Sequence, residues 1–145
     1  MVHYAGIMSG ELSTRTRDIL TTYSRIAMVG VSGNPTRASY RALVHMKSKG
    51  YTVYPVNPSY EDILGLKCYK SLLDIPAPVD IVDIFRRSEF VPDIVEAAIR
   101  KGASAVWMQE GVYHEAAARR AEEAGLAVAM DRCILKDHRR LAYAS

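Results

Sequence analysis

The chain has 145 residues, of which 49% are hydrophobic and 24% charged, which is enough apolar material for one core and argues against disorder. Its formal net charge is +3 and its basic residues are scattered, so an extended nucleic-acid surface is not expected. No apolar run approaches the ~20 residues that span a bilayer. The two cysteines, Cys68 and Cys133, have no metal-binding or redox spacing, and no secretory signal pattern precedes them, which is typical of a cytoplasmic protein.

Short runs that are apolar on both faces alternate along the chain with longer segments of helical period. The short runs predict five strands, at 25–31, 51–56, 79–85, 103–108 and 126–130. The periodic segments predict helices at 11–23, 35–50, 89–101, 114–124 and 134–141, with a loop at 59–70 and one helical turn at 71–74. Residues 1–10 are predicted to be a loose tail, and 11–145 a single domain.

Buried strands that alternate with helices are typical of a parallel sheet covered on both sides, so the predicted fold is a doubly wound α/β fold. In such folds, ligands bind outside the carboxyl ends of the strands, where the strand order reverses. The ends of the predicted strands are therefore the places to look for a site.

The first predicted strand ends in a glycine-rich stretch that contains Gly30, Ser32 and Gly33 and is followed by Asn34–Pro35. Asparagine is a favoured helix cap and proline a favoured first helical residue, so a helix is expected to begin here. Backbone amides at such a helix start can hold a phosphate, because the helix dipole is positive at this end. An ordinary turn between strand and helix is the alternative interpretation.

The complete dinucleotide motif is G-x-G-x-x-G with an acidic residue ~20 positions later for the ribose hydroxyls. This sequence has G-x-S-G, and its second strand ends in Val56–Asn57–Pro58 without an acid. The third strand ends in Phe85–Arg86–Arg87, where an aromatic ring could stack on a base and a guanidinium could bind phosphate. A core phenylalanine beside solvated arginines is the alternative. Arg37 is a further candidate for a phosphate contact.

Four stretches together resemble the small CoA-binding proteins, which are similar to the nucleotide-binding domain of the succinyl-CoA synthetase alpha subunit. They are VGVSGNPTRASY (29–40), VYPVNPSY (53–60), PVDIVDIFRRSEFVPDIVEAAIRKGASAVWMQEGV (78–112) and AGLAVAMDRCILKDHRRL (124–141). The resemblance covers nearly all of 25–141.

This resemblance implies a Rossmann-like domain with strand order 3-2-1-4-5 that binds coenzyme A across the strand ends. It assigns three groups of residues. The phosphates would be held by Ser32, Gly33, Asn34 and Pro35, the segment after strand two that borders the ligand would be Val56, Asn57 and Pro58, and the adenine and ribose region would be lined by Ile84, Phe85 and Arg86. Arg37 and Arg87 are added because of their charge, and Gly30 because it opens the loop.

The resemblance does not extend to the synthetase domain that carries a phosphorylated histidine. The four histidines of this sequence match no catalytic position. At Tyr60 the synthetase loop has a lysine. We therefore expect a CoA or acyl-CoA binder without catalytic residues or a metal. An NAD(H)-binding redox-sensing or oxidoreductase domain is the alternative. A homodimer or an unidentified partner enzyme is expected, and Cys133 is the residue that could form a mixed disulfide with CoA.

Overall fold

The computed structural model describes residues 13–144, in which strands and helices alternate. In chain order the strands are β1 (Arg25–Val29), β2 (Thr52–Val56), β3 (Asp62–Ile63), β4 (Leu66–Lys67), β5 (Ile81–Ile84), β6 (Ala105–Met108) and β7 (Ala127–Ala129). The helices are α1 (Thr14–Thr22), α2 (Ala38–Ser48), α3 (Val91–Lys101), α4 (Glu115–Glu123) and α5 (Ile134–Ala144), and short 3-10 turns lie at Leu72–Asp74 and Ser88–Phe90. The tail predicted at 1–10 lies outside the described residues.

Five of the strands form one parallel sheet in the order β2-β1-β5-β6-β7. Helices cover both of its faces, so the predicted doubly wound α/β fold is confirmed. The two apolar clusters lie on opposite faces. One is formed with α3 and α4, and the other with α1, α2 and α5.

The strand order differs from the expected 3-2-1-4-5 in the position of β5, which is the third strand of this sheet along the chain. Counted along the chain, the five strands lie in the order 2-1-3-4-5, because β5 pairs with β1 rather than lying outside β2. All four residues of β5 are buried, which suits a central strand. β2 has an exposed Thr52 and contains Pro55, which cannot donate a ladder hydrogen bond and therefore suits an edge strand.

Helix α2 begins three residues later than predicted. Its N-cap is Arg37, in an extended conformation, and not Asn34. The Asn34 side chain instead accepts a hydrogen bond from the Thr36 N–H at 3.0 Å, and the Arg37 N–H donates to the Asn34 carbonyl at 3.0 Å. Asparagine stabilises a turn in this way as readily as it caps a helix, so the loop after β1 is longer than the sequence suggested.

The segment predicted to be a loop contains the β3–β4 hairpin. Its turn is Leu64–Gly65, with φ of 55° and 74°. The predicted helical turn after it is confirmed as the 3-10 turn at Leu72–Asp74, which is capped by Ser71. The hairpin brings Tyr69 to the outer edge of β2, where its N–H donates to the Pro55 carbonyl at 2.9 Å and so protects that edge.

Two aspartates of the third strand region have different environments. Asp80 pairs with Arg25 at 3.2 Å, which joins the start of β1 to the start of β5. Asp83 lies in the middle of β5 between Met28 and Trp107, and its carboxyl oxygens have no hydrogen-bond partner among the described residues. Burial raises the pKa of the Asp83 carboxyl well above its ordinary value, which favours the protonated form.

Within residues 13–144, no helix combines the length and the apolarity needed to cross a bilayer.

Candidate functional site

The strand order places the switch point between β1 and β5, because the chain leaves β1 towards β2 on one side and returns to β5 on the other. Gly30 lies at this point. Its N–H donates to the Val56 carbonyl at 2.8 Å, and the Phe85 N–H donates to the Val29 carbonyl at 2.8 Å. The carboxyl ends of β1, β2 and β5 are thus held together around this glycine.

Gly30 is required here for two separate reasons. Its φ is +90°, in the left-handed region that L side chains rarely adopt. In addition, a Cβ atom at this position would lie 2.6 Å from the Phe85 carbonyl oxygen and 2.7 Å from Cδ of Arg86. The absence of a side chain therefore allows the end of β1 to lie close to the end of β5.

The loop after β1 is organised by its own hydroxyl and amide groups. The Ser32 N–H donates to the Ser39 hydroxyl at 2.9 Å, and the Asn34 N–H donates to the Ser32 hydroxyl at 3.0 Å. Ser32 and Gly33 are half-buried, whereas Asn34, Pro35 and Arg37 are exposed. The loop is therefore a preformed turn in which the Ser32 and Asn34 amides are bonded to side-chain hydroxyls, and its outer rim carries the Arg37 charge.

The loop after β2 is fixed to the loop after β1. The Asn57 side-chain amide donates to the Val31 carbonyl at 3.0 Å, and its oxygen accepts from the Ser59 N–H at 2.9 Å. Tyr60, at the end of this turn, lies against Gly33. Asn57, which the sequence placed at the ligand border, therefore also sets the spacing of the two loops.

The side chains at the end of β5 lie on alternate faces of the sheet. Ile84 is fully buried in the core on the α3 side. Phe85 packs against the cluster on the α2 side, and Arg86 lies half-buried beside Gly30. The aromatic ring close to the guanidinium groups is that of Phe90, whose centroid lies 4.3 Å from Cζ of Arg86 and 5.3 Å from that of Arg87. Sequence reasoning assigned this stacking position to Phe85.

A cleft of about 530 Å³ opens at the switch point on the α3 side of the sheet. This volume lies within the range of small-molecule sites. Its walls combine apolar side chains with two cations and one carboxylate. The lining residues are Val29, Gly30, Val56, Asn57, Pro58, Ser59, Lys70, Ser71, Leu72, Arg86, Asp93, Ile94 and Ala97.

The cleft brings together five residues that the sequence predicted, namely Gly30, Val56, Asn57, Pro58 and Arg86. Sequence reasoning missed the wall formed by Lys70 and Ser71 and the wall formed by α3. No local motif marks these residues. They reach the cleft because Tyr69 pairs with the edge of β2 and because α3 packs beside the strand ends.

The other predicted residues lie around this cleft or apart from it. Ser32, Gly33 and Arg37 belong to the adjoining loop, and Arg87 is exposed and pairs with Glu89 at 3.4 Å. Pro35 lines a second groove of about 740 Å³ between α2 and α5. Cys133, a free and half-buried thiol, lines the same groove and not the cleft.

A doubly wound α/β domain with a cleft of this size at its switch point is typical of a nucleotide-binding protein. The family comparison identifies the kind of domain, because the family model described as CoA binding domain matches residues 24–139. The chain belongs to this CoA binding domain family. The resemblance stated from its sequence motifs is confirmed.

Relatives of two sizes are similar to this chain. The uncharacterized protein YneT of Bacillus subtilis (strain 168) is 38% identical over 131 residues, which cover 90% of this chain and 97% of YneT. The structure of a hypothetical protein from Pyrococcus horikoshii OT3 is 41% identical with a TM-score of 0.85, and the match covers 93% of this chain and 99% of that one. The ADP-forming acetate–CoA ligase of Methanocaldococcus jannaschii is 34% identical over 77 residues, which are 53% of this chain and 11% of the ligase.

Proposed function

We propose that this protein binds coenzyme A, or an acyl-CoA, through its nucleotide and phosphates at the carboxyl edge of the sheet. The observation that carries the proposal is a cleft of about 530 Å³ at the switch point of a chain that belongs to the CoA binding domain family. The cleft adjoins the glycine-containing loop after β1, whose exposed rim carries the Arg37 charge. Nucleotide and phosphates would thus have adjacent sites.

The nucleoside of CoA would occupy the cleft. Val29, Val56 and Ile94 give it apolar walls, and Gly30 lines it beside Arg86. Lys70 and Arg86 line the same cleft and supply positive charge for the phosphate on the ribose, since guanidinium groups bind phosphate oxygens well. This charge favours CoA over a nucleotide that lacks the ribose phosphate.

The pyrophosphate would lie over the loop from Ser32 to Pro35, with Arg37 on its exposed rim. An NAD-type site would hold the ribose hydroxyls with an acidic side chain at the end of β2. Here β2 ends at Val56 and is followed by Asn57, whose side chain connects the loops after β1 and β2. We therefore place CoA ahead of NAD(H).

We further propose that the chain binds this ligand without carrying out chemistry on it. Histidine and cysteine are absent from the cleft lining described above. The Ser32 hydroxyl, a conceivable nucleophile in the adjoining loop, accepts the Asn34 N–H. The match to the acetate–CoA ligase covers 53% of this chain and 11% of the ligase, and we propose that a partner enzyme carries out any acyl transfer.

Isothermal titration with CoA, dephospho-CoA and NADH tests this function. We expect CoA to bind more tightly than dephospho-CoA, and NADH to give no measurable heat. Arg86→Gln should weaken CoA binding by about tenfold, because it removes a charge-assisted hydrogen bond to phosphate. The matched control is Arg100→Gln, an exposed arginine in the last turn of α3, at the opposite edge of the sheet.

Two results would contradict the proposal. Heat with NADH and none with CoA would favour the redox-sensing or oxidoreductase alternative. Equal loss of CoA affinity in Arg86→Gln and Arg100→Gln would show that CoA does not bind in the cleft.

A further inference from the structure

The groove between α2 and α5 has a volume of about 740 Å³ and includes apolar side chains in its lining. They are Tyr40 and Val44 of α2 and Leu135 of α5. Val44 remains 40% exposed, although another side of α2 packs Leu43 and Met46 into the core. Helix α2 is therefore apolar on two sides, and the described residues cover only one of them.

The rim of this groove is positively charged. Arg41 of α2 and Arg139 of α5 line it and are exposed. Within residues 13–144, neither guanidinium lies within ion-pair distance of an acidic side chain. Glu110, an acidic residue of the lining, pairs with Lys136 at 3.1 Å. The rim therefore carries two arginine charges that the described part of the chain does not neutralise.

The helices on this side of the sheet differ in charge from those on the other side. Residues 38–48 of α2 contain no acidic residue, and Asp137, the acidic residue of α5, is buried and bonded to Arg132. By contrast, α3 and α4 carry residues of both signs, and Arg120 pairs with Glu96 at 2.8 Å between these two helices. The α2–α5 side thus has an excess of cations.

The environment of His45 reflects this excess. His45 lines the groove, and its Nε2 atom lies 3.0 Å from Nδ1 of His138. Burial lowers the pKa of His45, and the charges of His138, Arg139 and Lys49 lower it further. A carboxylate in the groove would oppose these charges, because a nearby opposite charge favours the protonated imidazole. His45 is therefore an internal probe of what the groove binds.

We propose that the groove between α2 and α5 binds an acidic amphipathic helix of a partner protein. The apolar side of that helix would contact Tyr40, Val44 and Leu135, which is how hydrophobic grooves hold amphipathic helices. Its carboxylates would pair with Arg41 and Arg139, and complementary charge of this kind selects the partner and speeds its association.

The position of the groove relates this surface to the edge of the sheet where ligands bind in such folds. Pro35, in the loop after β1, and Ala38, the first residue of α2, belong to the lining, and so does Glu110, which follows β6. A helix bound in the groove would therefore place its protein beside the loop after β1. The proposal does not depend on which small molecule that loop binds.

A nucleic acid is a different polyanion that a basic surface can attract, and the groove suits it less well. A phosphate backbone is bound by a row of cations. Here the two helices have 11 residues each, which makes them only ~16 Å long. Between their cations the lining contains apolar Val44 and the carboxylate of Glu110. These groups fit an apolar helix face with acidic flanks better than a sugar–phosphate chain.

The test measures the fluorescence anisotropy of a labelled synthetic helix with leucine on one side and glutamate on the other. The reference probe has the same composition in scrambled order, which removes the apolar side and keeps the charge. We expect the amphipathic helix to bind the full chain more tightly than the scrambled peptide. Its affinity should fall as sodium chloride is added, because salt screens exposed charges.

Two variants place this binding in the groove. Arg139→Glu should weaken it about three- to tenfold, because the variant replaces attraction by repulsion at the rim. Val44→Ser should weaken it by about the same factor through the lost apolar contact. Both positions are exposed, so the fold should be retained. The matched control is Arg119→Glu, an exposed arginine of α4 on the opposite face of the sheet, which should leave the affinity unchanged.

The titration of His45, followed by NMR, gives a readout that needs no variant. Its pKa should rise when the amphipathic helix is bound and stay unchanged with the scrambled peptide. Equal binding of the two peptides, or equal affinities of the wild type and Arg139→Glu, would overturn the proposal. So would an absence of binding at millimolar peptide.

Other occupants of the groove give different results. A dimer of the chain alone in sedimentation velocity, dissociated by Arg139→Glu, would assign the groove to a second copy and overturn the proposal. Oligothymidylate of equal charge that binds as tightly as the amphipathic helix would assign it to a nucleic acid and overturn it as well. These measurements contain no CoA, so their outcome is separate from that of the proposed function.

Discussion

Replacing Gly30 with alanine tests the close approach of β1 and β5 at the switch point. The φ of Gly30 is +90°, and an L residue in the left-handed region costs ~1–2 kcal/mol. The new Cβ would also lie 2.6 Å from the Phe85 carbonyl oxygen, a backbone atom whose position is fixed by the neighbouring Phe85–Val29 hydrogen bond. Overpacking of this kind costs ~1–3 kcal/mol, so Gly30→Ala should lose ~2–5 kcal/mol of unfolding free energy in total.

Gly125→Ala is the matched control for this prediction. Gly125 has a φ of +92°, and a Cβ there would meet no atom within 4 Å, so alanine should cost only the ~1–2 kcal/mol of the backbone conformation. Urea unfolding can be followed by the fluorescence of the single tryptophan, Trp107, which is fully buried. An equal loss of stability in the two variants would refute the close contact between Gly30 and the end of β5.

Two further predictions concern the buried Asp83 in the middle of β5 and the half-buried Asn57 in the loop after β2. Burial raises the pKa of Asp83, so the unfolded chain releases this proton at a lower pH than the folded chain does. The free energy of unfolding should therefore fall as the pH rises above about 4, by up to ~1.4 kcal/mol per pH unit. Asp83→Asn should remove this part of the slope in urea unfolding measured across pH, and an unchanged slope would show that the buried carboxyl is already ionised. Asn57→Ala should cost ~1–2 kcal/mol by leaving the Val31 carbonyl without its side-chain donor, and should weaken CoA binding in the same titrations. Unchanged stability and affinity would show that the two loops keep their spacing without Asn57.

The element order was predictable from the sequence because it depends on local patterns. Runs such as Ile26–Val29 are buried on both faces, and Gly102 has a positive φ at the end of α3, where glycine commonly ends a helix. The pairing of strands is not local. The position of Pro55 indicates an edge strand, but the resemblance led to a different strand order. The hairpin turn at Leu64–Gly65 lacks the asparagine or aspartate that usually marks such a turn.

The candidate site was predictable where it follows a strand end and not where it depends on packing across the fold. Gly30 and Arg86 end neighbouring strands and meet in the cleft as expected. Asn34 looked like a helix cap, but its side chain is bonded within a turn, and α2 begins after it. Lys70 reaches the cleft through the β3–β4 hairpin, and Phe90 takes the place beside Arg86 through the 3-10 turn before α3, and neither has a sequence signal.

Backbone NMR of the full chain during titration with CoA tests the central claim most directly, because the cleft and the groove between α2 and α5 carry different residues. The account predicts that the largest shifts will occur at 30–37, 57–60 and 86, and that NADH will leave the same amides unchanged. Shifts confined to the groove between α2 and α5, or no shifts at saturating CoA, would contradict it.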